Sequence, residues 1–149
     1  MHPRKKRAPY LPVLETVTQS RTQVSNGLIF LAQSKLPDAR RAIAQAKNLS
    51  TNSASASLKI EIDIADARVQ MAASRWAEAN QLLEAGLGRA RRLGLLGLQY
   101  EARLAKGELD RKSGRTAAGN AILGELQKDA TGKGFKLIAR RASIAASQN

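Results

Sequence analysis

The chain contains no cysteine, which excludes a disulfide framework and thiolate metal sites. Its single histidine, His2, stands at the extreme N-terminus, so a Ser-His or Cys-His nucleophile has no base inside a folded core. Aromatic residues make up only 3%. The apolar content is mostly Ala, Leu and Ile, a helical composition without the Val, Thr, Tyr and Phe runs that strands favour. Three of the four prolines, Pro3, Pro9 and Pro12, crowd into the first twelve residues. No apolar run approaches the ~18 residues that cross a bilayer, the longest being Leu28 to Ala32. Acidic residues are scarce, 12 against 25 Lys+Arg, for a formal net charge of +13. That balance favours phosphate, anionic membrane or acidic protein surfaces. The basic start lacks the apolar stretch of a secretory signal, so the cytoplasm is the expected address.

What remains is 149 residues, 43% of them hydrophobic, one domain's worth with enough apolar side chains for a core. Slid against itself by 40 residues, the chain aligns Ala39, Ala79 and Gly119, then Ile43, Leu83 and Leu123. Gly27, Ala67 and Gly107 fall in register, as do Ile29, Val69 and Leu109. A fixed period of this size marks a repeat array, an architecture that presents binding surfaces more often than catalytic ones.

Residues 1–12 read as a disordered or extended basic arm carrying Arg4, Lys5, Lys6 and Arg7, either a solvated tail or a contact for an acidic partner. Residues 13–149 read as the repeat domain, with helices over about 13–33, 37–49, 56–73, 76–93, 98–112, 116–130 and 135–146. Gly94 and Gly97 flank one turn, and Thr131 to Gly134 forms a loop. The fold expected is all-α: a right-handed stack of three antiparallel helix pairs closed by a C-terminal capping helix. Thr18, Thr22 and Ser25 are polar where Leu58, Ile62 and Ala65 are apolar, so the first helix is a degenerate cap or an edge that packs on something upstream. The small residues in register, Gly27, Ala67 and Gly107 on first helices and Ala39, Ala79 and Gly119 on second helices, permit the close approach within each pair.

These features resemble the tetratricopeptide repeat. In the second pair Ala67, the turn Ser74-Arg75-Trp76, Ala79, Leu83 and Gly86 follow its pattern; Gly27, Ser34, Leu36, Ala39 and Ile43, and Gly107, Gly114, Thr116, Gly119 and Leu123 follow it in the other pairs. The period here is 40 where that family repeats about every 34 residues, and its closing proline is absent. The stretches Ala102 to Leu109, Lys112 to Gly114 and Lys133 to Ala142 are similar to the C-terminal repeats of large bacterial serine/threonine kinases and winged-helix regulators. No Gly-rich nucleotide loop or catalytic-loop motif accompanies them. The resemblance implies a non-catalytic module that binds a protein or peptide without cofactor or metal.

Carried across, the resemblance implies a concave groove lined by Arg21, Val24, Leu28 and Leu31, then Glu61, Ile64, Arg68 and Met71, then Glu101, Leu104, Glu108 and Arg111, with Arg141 and Ile144 at the end. Leu28, Ile64, Met71 and Leu104 would supply affinity, and Arg68, Glu101, Glu108 and Arg111 orientation. Trp76 reads as a wedge within its helix pair rather than a binding anchor. Glu61, Asp63 and Asp66 read as a solvated acidic face, not a metal site. The alternative is a nucleic acid or other polyanion held by the arm and the convex face through Arg40, Arg41, Lys47, Arg89, Arg91, Arg92 and Lys128. No aromatic set interleaves with those charges as single-strand binding requires.

Overall fold

A computed structural model describes residues 11–148. Seven α-helices follow one another: α1 (Leu11–Ala32), α2 (Leu36–Ser50), α3 (Ala56–Ala72), α4 (Trp76–Arg92), α5 (Leu96–Lys112), α6 (Thr116–Gly132) and α7 (Lys136–Ser147). No strand occurs among the described residues. The expected arm lies outside the described residues up to residue 10. Pro12 falls within α1, although the sequence places it in the arm.

The helices obey a half-period that the 40-residue comparison hides. Helices α2 to α7 begin at residues 36, 56, 76, 96, 116 and 136, one every 20 residues. Five of the six junctions are the same Schellman turn. In each, a left-handed residue follows the helix and the next backbone N–H reaches back five residues. The left-handed residues are Ser34, Ser74, Gly94, Gly114 and Gly134. The closing bonds run from Lys35 to Phe30 O (2.8 Å), Arg75 to Gln70 O (2.9 Å), Leu95 to Ala90 O (2.9 Å), Arg115 to Asp110 O (2.7 Å) and Phe135 to Ala130 O (2.8 Å). The turn is this short because α5 starts at Leu96, taking in Gly97, and α6 continues through Gly132; both segments are helix where the sequence suggests turn. The sixth junction, 51–55, is longer, and there Ser55 caps α3 by accepting from the Leu58 N–H at 3.3 Å.

Ser34 and Ser74 sit at φ +58°, where a Cβ is unfavourable and glycine is not. Replacing both by Gly is expected to stabilise the fold by about 1 kcal/mol in total, raising Tm by roughly 2 to 4 °C in a thermal melt.

Each odd-numbered helix packs against the even one that follows, and each even one against the odd one after it. The odd helices also pack directly on one another, α1 on α3, α3 on α5 and α5 on α7, whereas α2, α4 and α6 do not touch. An inner layer in contact and an outer layer splayed apart curve the stack, with the odd helices on the concave side. The core fills the space between layers. Ile60, Ile64, Ala67 and Met71 of α3 meet Ala79, Leu83, Leu87 and Ala90 of α4 and Ala102, Ala105 and Leu109 of α5. Tyr100 and Leu104 of α5 likewise meet Leu123, Leu126 and Ala130 of α6 and Ile138, Ala142 and Ala145 of α7. Tyr100 stacks edge-on against Phe135 with ring centroids 5.2 Å apart. Trp76 is partly buried against the first of these clusters, the wedge expected for it.

The small columns are where paired helices cross, and their tightness differs from pair to pair. A Cβ on Gly27 would meet only the Ile43 side chain closely, at 2.7 Å, whereas one on Gly119 would meet the backbone oxygen of Gly107 at 2.7 Å. The second pair tolerates Ala67 and Ala79 at the same two positions, both fully buried.

Candidate functional site

The concave face carries a trough built from three clefts. The first, about 340 Å³, takes side chains from all four inner helices: Arg21, Val24 and Leu28 of α1, Glu61, Ile64 and Arg68 of α3, Leu98 and Glu101 of α5 and Arg141 of α7. The second, about 300 Å³, shares Leu28 and Arg68 with it and adds Leu31, Met71 and Lys112. The third shares Lys112 and ends among Glu108, Arg111, Ala145 and Gln148. The trough therefore follows the inner layer from α1 to α7.

Most residues expected in the groove lie along it, but three of its four expected apolar anchors do not offer themselves to a ligand. Leu104 is fully buried and lines none of the clefts; Ile64 and Met71 are also buried and lend only their edges to the floor. The reason is rotational. At about 100° per residue, positions 61 and 68 differ by roughly 20°, whereas 64 and 71 are turned by roughly 60° to 80° from position 61. That turn carries them onto the packing face against α4, and Leu104 onto the matching face against α6. Leu28 remains exposed and Leu31 half-buried. Ile144, at the last repeat's equivalent of Ile64 and Leu104, is exposed because no further helix covers it among the described residues. Leu98, Lys112 and Gln148 line the trough without having been expected there. Leu98 belongs to the apolar stripe that packs α5, and the other two sit at helix ends where periodicity says little.

The charged residues pair across the repeats. Arg21 donates to Glu61 at 2.9 Å, Arg68 to Glu108 at 2.7 Å and Arg141 to Glu101 at 2.8 Å. Every one of these pairs spans 40 residues, so each joins neighbouring inner helices. Arg111 donates to the Ala146 carbonyl at 2.7 Å and to Asn120. These side chains are thus spent first on holding the inner layer together. Arg68 is the exception in part: its Nη1 serves Glu108, while its Nη2 is buried with no partner among the described residues. The Arg68–Glu108 pair is the most buried of the three. A double-mutant cycle on Arg68→Ala and Glu108→Ala in urea is expected to give a coupling of about 1 kcal/mol, against less than about 0.5 kcal/mol for the more exposed Arg21 and Glu61.

The acidic cluster on α3 is divided among three cations. Glu61 takes Arg21, Asp63 takes Arg89 and Asp66 takes Lys47. No group of three or more His, Asp and Glu is placed to hold a metal ion among the described residues. Burial raises the Asp63 carboxyl above its ordinary value of 3.8, with Arg89 and Lys47 pulling it down and Asp66 adding to the rise. The folded protein therefore binds this proton more tightly than the unfolded chain. Stability from Asp63 is present below pH 3.8 and is lost as pH rises through the elevated folded value, a slope that Asp63→Asn should remove from pH-dependent melts.

No described helix is long and apolar enough to cross a membrane. No protein-family model, curated protein or solved structure matches this chain.

Proposed function

We propose that the protein is a non-catalytic, tetratricopeptide-like repeat module that holds a peptide segment of a partner protein in its concave trough, in the cytoplasm. The observation that carries this reading is the continuity of the three clefts through Leu28, Arg68 and Lys112 along the inner layer. Exposed Leu28 and half-buried Val24 and Leu98 offer apolar contact, and the unpartnered Nη2 of Arg68 asks for an acceptor such as a peptide carbonyl or carboxylate. The likeness to the terminal repeats of bacterial kinases and winged-helix regulators suggests a sensing or scaffold role beside such an effector.

The test is site-specific photo-crosslinking from Leu28 and Lys112 in cells, with Gln81 on the outer layer as control. Adducts to one protein partner from the trough positions alone are expected. Absence of any protein adduct, together with tight and salt-sensitive RNA or DNA binding, would transfer the function to the polyanion alternative.

A further inference from the structure

Among the described residues, ion pairs engage nine of the twelve acidic residues, and more unpaired, exposed cations stand at one edge of the stack than at the other. This edge gathers the C-terminal ends of α2, α4 and α6 and the N-terminal ends of α1, α3, α5 and α7. The antiparallel contacts Ser20 Oγ to Ala46 O, Arg89 to Asp63 and Arg103 to Asp129 fix that alignment. Arg91 and Arg92 close α4, Lys128 and Lys133 close α6, and Lys136 and Arg140 open α7. All six are exposed and, among the described residues, none forms an ion pair or side-chain hydrogen bond, whereas the edge acid Asp129 is paired with Arg103 and Glu15 is also engaged. The run Arg4 to Arg7 precedes α1 in sequence.

Large apolar side chains stand among these cations. Leu93 is 52% exposed beside Arg91 and Arg92, and Leu137 is 70% exposed between Lys136 and Arg140. Val13 and Leu14, in the opening turn of α1, are 54% and 56% exposed. Four of the seven exposed large hydrophobic residues among those described thus occupy the edge that carries more of the free positive charge. Cations alone would suit any polyanion. Leucines projecting at turn tips between them gain nothing against a nucleic acid backbone, and among the described residues no exposed aromatic is present at this edge to stack on bases. An anionic bilayer rewards both features at once, because phosphate headgroups neutralise the cations while the apolar tips enter the interface.

We propose that this edge docks the protein onto an anionic phospholipid surface, with Leu93 and Leu137 inserted and the surrounding Lys and Arg on the headgroups. The site is separate from the concave trough and stands whether or not the trough binds a peptide.

The full chain is to be sedimented with vesicles of two parts phosphatidylcholine to one part phosphatidylserine, and with phosphatidylcholine alone. Binding to the anionic vesicles only, weakened by salt, is expected. Each cation near such a surface contributes about fivefold in partitioning. The triple variant Lys133→Gln, Lys136→Gln, Arg140→Gln should therefore lose at least about tenfold. The charge-matched triple on the opposite edge, Lys35→Gln, Arg40→Gln, Arg75→Gln, should lose less than about threefold, since unscreened attraction falls off within a Debye length. Leu93→Asn with Leu137→Asn should also weaken binding by about tenfold while the helical circular dichroism and melt are kept. The proposal is overturned by no binding to anionic vesicles, by equal loss in the two triples, or by duplex DNA binding more tightly than vesicles with no effect of the leucine pair.

Discussion

Leu104→Ala is expected to destabilise the protein by about 3 kcal/mol, within the range of about 2 to 5 for buried leucines, and to lower Tm by roughly 6 to 12 °C. Leu104 has no exposed surface and joins Leu123, Leu126 and Ala130 of α6 to Ile138 and Ala142 of α7. The cavity would open where three helices meet, and repeat arrays have no distant core to compensate a lost interface. Leu28→Ala, by contrast, removes an exposed side chain and should cost less than about 1 kcal/mol. Comparing the two variants in urea titrations and in binding to a crosslinked partner separates packing from recognition. A Leu104→Ala protein that melts like the parent but loses the partner would return Leu104 to the groove and undo the rotational assignment of the inner helices.

The all-helical stack was legible in the sequence because its period is carried by packing. The columns headed by Gly27, Ala39 and Ile43 are where helices touch, and contact tolerates few side chains. The 20-residue half-period was present too, in Gly94, Gly114 and Gly134. It was masked because Ser34 and Ser74 fill the same left-handed turn position and because the two helix types of each pair bury different stripes. The groove was harder for a physical reason. An inner helix is buried on two sides, against its partner and against the preceding pair, so its free stripe is barely one residue wide. Spacing of three, four and seven residues finds the stripe and its shoulder together, which mixes Glu61 and Arg68 with Ile64 and Met71. The ion pairs carried a signal of their own. Arg21 with Glu61, Arg68 with Glu108 and Glu101 with Arg141 are opposite charges one full period apart, the pattern of a ladder along the layer.

The second large effect is a pair of identical substitutions with opposite signs on one helix. Gly119→Ala is expected to destabilise by about 2 kcal/mol, and Gly119→Leu by about 3 kcal/mol or more. Gly124→Ala is expected to stabilise by about 0.5 to 1 kcal/mol. Both glycines lie within α6, so the gain in helix propensity is the same for each. What differs is the neighbour. A Cβ at Gly119 would stand 2.7 Å from Gly107 O and 2.9 Å from Arg111 N, both backbone atoms of α5, and would also strike the Arg111 side chain. No rotamer change relieves a collision with backbone, so α5 and α6 must separate, loosening Leu123 from the core and disturbing Arg111, which caps α7 through the Ala146 carbonyl. A Cβ at Gly124 would meet nothing within 4 Å. Urea titrations of the two alanine variants decide the matter. Stabilisation by Gly119→Ala would mean that the helices of the third pair do not approach at this crossing, and the packing account of the small-residue columns would fall with it.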